Sequence, residues 1–209
     1  GNMSLNRMTE LEAVNTMLVT IGEQPVSSLD NLAGLQDASI AKQILSNISR
    51  AVQSKGWVFN LDLQVTYTPD TNGEIVLGSN VLRIDTTSKV RSSTKDIVER
   101  GGKLYDRENN TSVFTDSIKV DRVIVLNFDD LPEAARRYIA ARSARVFHDR
   151  VVGSGELHRF FQEDEGQAWS ELLEYEAEVG DYTIFDDYDV YRVIERDIGK
   201  LRQTTTTTT

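Results

Sequence analysis

The stretch Trp57-Val58-Phe59-Asn60-Leu61-Asp62-Leu63-Gln64-Val65-Thr66-Tyr67-Thr68 decides the fold class, because here apolar residues begin to fall at every second position. Successive side chains of a strand leave on opposite faces, so Trp57, Phe59, Leu61, Leu63, Val65 and Tyr67 make one apolar face. The residues before it follow a different period. Thr9 and Glu12 fit a capping box, and Leu11, Val14, Leu18 and Ile21 recur at helical spacing up to Gly22, with Pro25 just beyond. Asp37 is placed to cap a second helix whose stripe is Ala41, Ile44, Leu45, Ile48 and Val52, ending near Lys55 with Gly56 behind it. Gly1 and Asn2, ahead of Met3, look like a cloning remnant and are set aside from the fold.

Downstream of the strand, Pro69 to Gly73 is a turn cluster, and Glu74 to Leu77, Val81 to Asp85 and Ile97 to Arg100 read as short strands. Gly101-Gly102 suits a primed hairpin turn returning through Lys103 to Asp106, and Ile118 to Phe128 makes the last strand. At Asp130-Leu131-Pro132-Glu133 the helical signal returns, with a capping aspartate and then a proline and an acid in the first turn. The helix runs to about Val152 with Ala135, Tyr138, Ile139, Val146 and Phe147 inward. Gly153-Ser154-Gly155 breaks it, and a fourth helix from Glu156 to about Val179 carries Leu157, Phe161, Ala168, Leu172, Tyr175 and Val179 on one face.

Apolar helix faces on both sides of the strands need one another. The sequence therefore predicts an α+β fold, a four-helix bundle split in sequence by an inserted small antiparallel β domain. Its expected parts are 9–56 and 129–180 as the two halves of the helical domain, 57–128 as the β domain, and 181–209 as an extended C-terminal arm ending in six threonines.

Composition narrows the chemistry. Lys and Arg number 23 against 33 Asp and Glu, a net charge of −10, which disfavours nonspecific phosphate binding because that depends on cations displacing counterions. Zero cysteines remove disulfides, thiolate nucleophiles and cysteine-bound metals. No apolar run approaches the roughly 20 residues of a membrane-spanning helix, and the N-terminus lacks a secretory pattern, so no membrane anchor is expected.

The motifs are thin. His148 and His158 lack the His-Glu-x-x-His spacing of a zinc site and read as surface or interhelix packing residues. Gly153-Ser154-Gly155 follows a helix instead of a strand and lacks the third glycine of a dinucleotide loop. Asp187-Tyr188-Asp189 lacks the glycine and closing glutamate of a calcium loop, and the sequons at Asn109 and Asn110 carry no meaning without a secretory route. Acids are abundant: Asp129 and Asp130 are adjacent, as are Glu163, Asp164 and Glu165, while Glu171, Glu174 and Glu178 share helical spacing, the pattern of a solvated helix face. No catalytic residue, metal or cofactor is expected.

Two features point instead to partners. The third helix is basic through Arg136, Arg137, Arg142, Arg145 and Arg150, and the fourth is acidic; these charges pair within one bundle or between copies, and Arg136, Arg137, Arg145, Glu171 and Glu174 are the inter-subunit candidates. The stretch Asp181 to Ile194 sets Tyr182, Phe185, Tyr188 and Tyr191 among Asp186, Asp187 and Asp189, a composition suited to ordering on a partner or to a strap on its own bundle.

Several strings, in order along the chain, resemble the tail tubular protein A family of short-tailed bacteriophages: Ala13-Val14-Asn15, Ile21-Gly22-Glu23-Gln24-Pro25-Val26-Ser27, Gln53-Ser54-Lys55-Gly56-Trp57-Val58-Phe59-Asn60, Arg100-Gly101-Gly102-Lys103-Leu104-Tyr105-Asp106-Arg107 and Leu131-Pro132-Glu133. Tyr175-Glu176 and Gly180 continue the likeness weakly, and the residues after Gly180 depart from it. The resemblance implies a helical domain with a β insertion and a ring of twelve copies joining the portal to the tail nozzle (tail tubular protein B) around the DNA ejection channel. It also implies tail fibres at the ring–nozzle junction, passing DNA that is not specifically bound, and assembly in the bacterial cytoplasm into the virion tail. On that reading the aromatic and acidic arm is the portal-docking segment. The carboxylates alone leave a rival open, a glycan hydrolase acting on the host envelope; a binding module of the host cytoplasm is a third reading.

Overall fold

The Thr9 hydroxyl accepts the Glu12 N–H at 3.1 Å and so caps helix α1 (Glu10–Thr20), satisfying a donor that every helix start leaves open. The computed structural model describes residues 6–85 and 96–184. Helix α1 buries Ala13, Val14, Met17 and Leu18; Leu11 and Ile21, expected on that face, sit half-buried at its margins. Helix α2 (Gln36–Gln53) buries Ala38, Ala41, Ile44, Leu45 and Val52 and leaves Ile48 half-buried. The expected helical phases are therefore right to within one side-chain position.

Helix α3 (Glu133–Val151) starts differently from expectation. Its N-cap is Pro132, extended at φ −60° and ψ 151°, whereas Asp130 closes a 3-10 turn over Phe128–Asp130. The turn holds Asp130 through its N–H on the Asn127 carbonyl, and Asp129 Oδ1 accepts the Glu10 N–H at 2.9 Å. A capping acid is thus present, but it serves the start of α1, 119 residues away in sequence.

Helix α4 (Gly155–Ile184) runs further than its periodicity suggests, passing through Gly180 and taking in Asp181 to Ile184, which the sequence had given to an extended arm. An interior glycine costs a helix only about 1 kcal/mol, which a long helix absorbs. The rest of the expected arm, from Phe185 on, lies outside the described residues.

These described residues form an α+β fold with four α-helices and small antiparallel sheets. They divide into two compact units, one from 6–52 and 127–177, the other from 53–126 and 178–184. In the first, α1 packs on α3. Met8 N–H donates to Glu133 Oε2 at 3.0 Å beside this contact, so the lead-in to α1 is tied to the start of α3.

The second unit holds β1 (Leu61–Tyr67), β2 (Val81–Asp85), β3 (Ile97–Arg100), β4 (Lys103–Asp106) and β5 (Ile118–Ile124). One antiparallel sheet has the order β1-β5-β2, and β3 and β4 form a separate hairpin. Gly101 and Gly102 take φ of 61° and 77° at the hairpin turn, the conformation their sequence predicts. Ile75, Leu77, Ile97, Leu104, Phe114, Ile118 and Val120 make the core. The expected strand Glu74 to Leu77 is reduced to isolated bridges from Glu74 to Val113 and from Val76 to Lys103, although Ile75 and Leu77 point inward as its alternation demands.

Trp57 to Asn60 is the clearest departure: it is not strand, and Val58–Asn60 form a 3-10 turn. The Asn60 side chain replaces the ladder, its Oδ1 accepting the Trp57 N–H at 2.8 Å and its Nδ2 donating to the Gln53 and Ile124 carbonyls at 2.8 and 2.9 Å. Gln53, fully buried, pairs both ends of its amide with Leu126, Nε2 to the carbonyl at 3.0 Å and Oε1 from the N–H at 2.8 Å. Asn60→Ala removes three hydrogen bonds, two of them buried, and strands their partners, so it should cost about 2 to 4 kcal/mol. Urea unfolding followed by far-UV circular dichroism measures it, and a loss below about 0.5 kcal/mol would show that the amide is not a structural centre.

Candidate functional site

Five charged side chains of α3 and α4 are the sequence candidates for contacts between copies, and their surroundings divide them. Arg136 is 4% exposed, and its guanidinium donates only to main-chain carbonyls: Nε to Leu131 at 2.7 Å, Nη1 to Met8 at 2.8 Å and Nη2 to Asp129. Its donors face three pieces of its own chain, so it ties the lead-in to α1 and the turn before α3 onto α3. It offers no surface to a neighbour, contrary to the expectation for this residue. Arginine suits the task because its planar fork reaches three acceptors at once and its charge is softened by charge-assisted hydrogen bonds.

Arg145 is also committed within the chain. It grips Glu165 of α4 through Nε and through Nη2, the latter at 3.2 Å, and lies 3.8 Å from Asp149 one turn on. The Glu165 hydrogen bond is the largest cause holding the Arg145 pKa above its ordinary value. Asp149 in turn meets His158 Nδ1 at 2.8 Å across the α3–α4 turn. Arg137 is exposed and pairs with Glu133 at 3.0 Å, an i,i+4 contact worth a few tenths of a kcal/mol. Glu171 and Glu174 are exposed on α4, Glu171 accepting from Gln167 Nε2 at 3.3 Å. Glu171 and Glu174 are therefore available to a neighbour, whereas Arg137 is exposed but paired.

Tyr138 of α3 packs on Trp169 of α4 with ring centres 4.9 Å apart, and burial holds its hydroxyl above the usual phenol range. His148 is fully buried with its ring 5.0 Å from Phe161, and neither of its nitrogens meets a hydrogen-bond partner. Among the described residues no three His, Asp or Glu side chains converge as metal ligands, and no helix is long and apolar enough to cross a membrane.

Between α1, α3 and α4 the first unit holds an apolar groove of about 410 Å³, floored by Ala140, Ala141, Ala144 and Ala168. Sequence reading missed it, and the only signal was the alanine content of α3, since small side chains let a helix carry a cleft beside it. The docking candidates Phe185, Asp186, Asp187, Tyr188, Asp189 and Tyr191 lie outside the described residues; Tyr182 falls in the last turn of α4.

The family model of tail tubular proteins matches residues 11–182, from α1 through the β unit and nearly to the end of α4. The chain belongs to the tail tubular protein family. It is similar to tail tubular protein A of Klebsiella phage KP34, 29% identical over 160 residues that cover 76% of this chain and 82% of the phage protein. Family membership makes it a structural component of a phage virion tail.

The contrast between Arg136 and Arg137 is measurable. Arg136→Ala leaves three carbonyls, the Leu131 one in a buried hydrogen bond, without their donor and should destabilise the fold by about 2 to 5 kcal/mol, whereas Arg137→Ala should change stability by about 0.5 kcal/mol or less. Thermal unfolding of the two variants side by side reads the difference; equal losses would mean that the buried guanidinium is not a tie.

Proposed function

We propose that this tail tubular protein is the adaptor ring between portal and tail nozzle, twelve copies around the channel through which DNA leaves the capsid. The observation that carries the reading is the family match, because it spans both helical segments and the β unit together. Charge supports it. Twelve copies at −10 each would carry about −120, and a duplex sliding past like charge is not held by phosphate contacts. Tail fibres at the ring–nozzle junction and assembly in the bacterial cytoplasm belong to the same proposal.

Within each copy, we read 9–56 and 129–180 as one four-helix bundle and 57–128 as an insertion into it. The paired amide of Gln53 and Leu126 supports this, because it brings the two ends of the β segment within hydrogen-bonding reach. Replacing residues 53–126 by a short glycine–serine linker should then leave a helical unit that unfolds cooperatively. A product without cooperative unfolding would count against the insertion.

Residues 181–194 serve as the portal-docking arm, whose first residues, Asp181 to Ile184, continue α4. Tyr182, Phe185, Tyr188 and Tyr191 offer large area with few rotors, while Asp186, Asp187 and Asp189 meet basic groups on the partner. Twelve such arms act together through effective concentration. Truncation after Ile184 should leave helix content unchanged and abolish stable attachment to the portal, as seen by negative-stain imaging of the mixture. Attachment at full affinity by the truncated chain would move the docking face to the bundle.

A further inference from the structure

Among the described residues, two apolar surface features of the first unit stand uncovered, and they meet at Phe160. One is the groove beside α3, whose alanine floor is too short to fill it and whose walls carry Thr16 and Thr20 of α1 and Phe161 of α4, with Asp164 and Glu171 on its α4 lip. The other is the α3–α4 turn. There Val151, Val152, Leu157 and Phe160 stand 40, 54, 44 and 63% exposed within ten residues, an unusual density of bare apolar side chains for a helical hairpin. Leu157 was expected on the buried face of the fourth helix and instead faces outward.

The two features match in chemistry. The turn is apolar and flanked by exposed Arg150 and Arg159, with Glu156 the one exposed acid among them; the groove is apolar and flanked by exposed Asp164 and Glu171. Arg137, the basic residue at the groove, is occupied by Glu133. Turn and groove adjoin at Phe160, which belongs to both, and a turn-to-groove contact that is not returned by the same neighbour pairs one copy head-to-tail with the next. Such heterologous contacts close into rings when the rotation fits, whereas a self-complementary patch would stop at a dimer.

We propose that the α3–α4 turn of one copy seats Val152 and Leu157 in the α1–α3–α4 groove of the next, with Arg150 and Arg159 against Asp164 and Glu171. This rests on the ring reading above and names the faces that make the ring. Burying the bare side chains supplies the attraction, and the charges fix register and direction.

The absence of cysteine makes the test clean. A chain carrying Val152→Cys with Thr16→Cys, mildly oxidised, should give a ladder of multiples on a denaturing gel that collapses on reduction, while each single variant gives dimers at most. Separately, Asp164→Arg with Glu171→Arg should weaken self-association by about tenfold or more in sedimentation, and adding Arg150→Glu with Arg159→Glu should restore it. All four sites are exposed, so circular dichroism should report an unchanged fold. A parent chain that stays monomeric at every concentration overturns the ring and this contact together. A parent chain that assembles while the double-cysteine variant yields no ladder, or while charge reversal is without effect, overturns this contact alone. A ladder that appears only after residues 1–5 are deleted gives the groove to that neighbouring segment of the same chain and also overturns the proposal.

Discussion

The β unit depends on a side-chain amide doing the work of a strand. Gln53 ends α2 fully buried and meets Leu126 through both its donor and its acceptor, and the Asn60 amide locks the same site by holding Gln53, Trp57 and Ile124. Main-chain groups where residues 53–60 meet residues 124–126 lie outside any ladder and need side-chain partners. Two primary amides resolve this, each offering donors and an acceptor at right angles to the backbone pattern. Gly56 completes the corner. It takes φ of +80°, a conformation strained for any side chain, and a Cβ there would come within 2.7 Å of Arg83 Nη2 and 3.1 Å of Val123 Cγ2, so the guanidinium would also have to move.

That corner explains where sequence reading succeeded and where it stopped. The helices were visible because their burial repeats with the helical period, and the Gly101-Gly102 hairpin because two positive φ values in a row require its residues. Trp57 to Asn60 looked like strand because alternation cannot distinguish a ladder from a 3-10 turn whose hydrogen bonds come from a side chain. Ile75 and Leu77 alternate correctly and are buried, yet their backbone pairs only through single bridges, since the inward-facing pattern reports the core and not the ladder.

The charged candidates show the same limit from the other side. Five residues of suitable sign and spacing looked equivalent in sequence, and the structure makes Arg136 an internal tie and Arg145 half of an α3–α4 grip. What decides between the roles is the position of acceptors far away in sequence, the carbonyl of Met8 for one and the carboxylate of Glu165 for the other. No local pattern carries that information. Asp129 makes the point again: it lies next to the expected cap of α3 but caps α1.

Once Arg136 and Arg145 are committed inside the chain, the balance of charge available for assembly changes. The outward faces of α4 keep Glu163, Asp164, Glu171, Glu174 and Glu178, while the exposed basic residues nearby are Arg150 and Arg159 at its beginning and Arg137, which is already paired. Exposed ion pairs are worth roughly 0 to 1 kcal/mol each and weaken with salt, so they cannot by themselves hold copies together. In the ring we propose, cohesion between copies would therefore come from apolar area, and among the described residues the α3–α4 turn groups four exposed large apolar side chains, Val151, Val152, Leu157 and Phe160. A surface that keeps its acids free along α4 and sets its apolar area at the α3–α4 turn and the adjoining groove can associate through those patches and stay repulsive elsewhere. In the adaptor ring we propose, that separation would let cohesion between copies be strong without making the acidic surface adhesive.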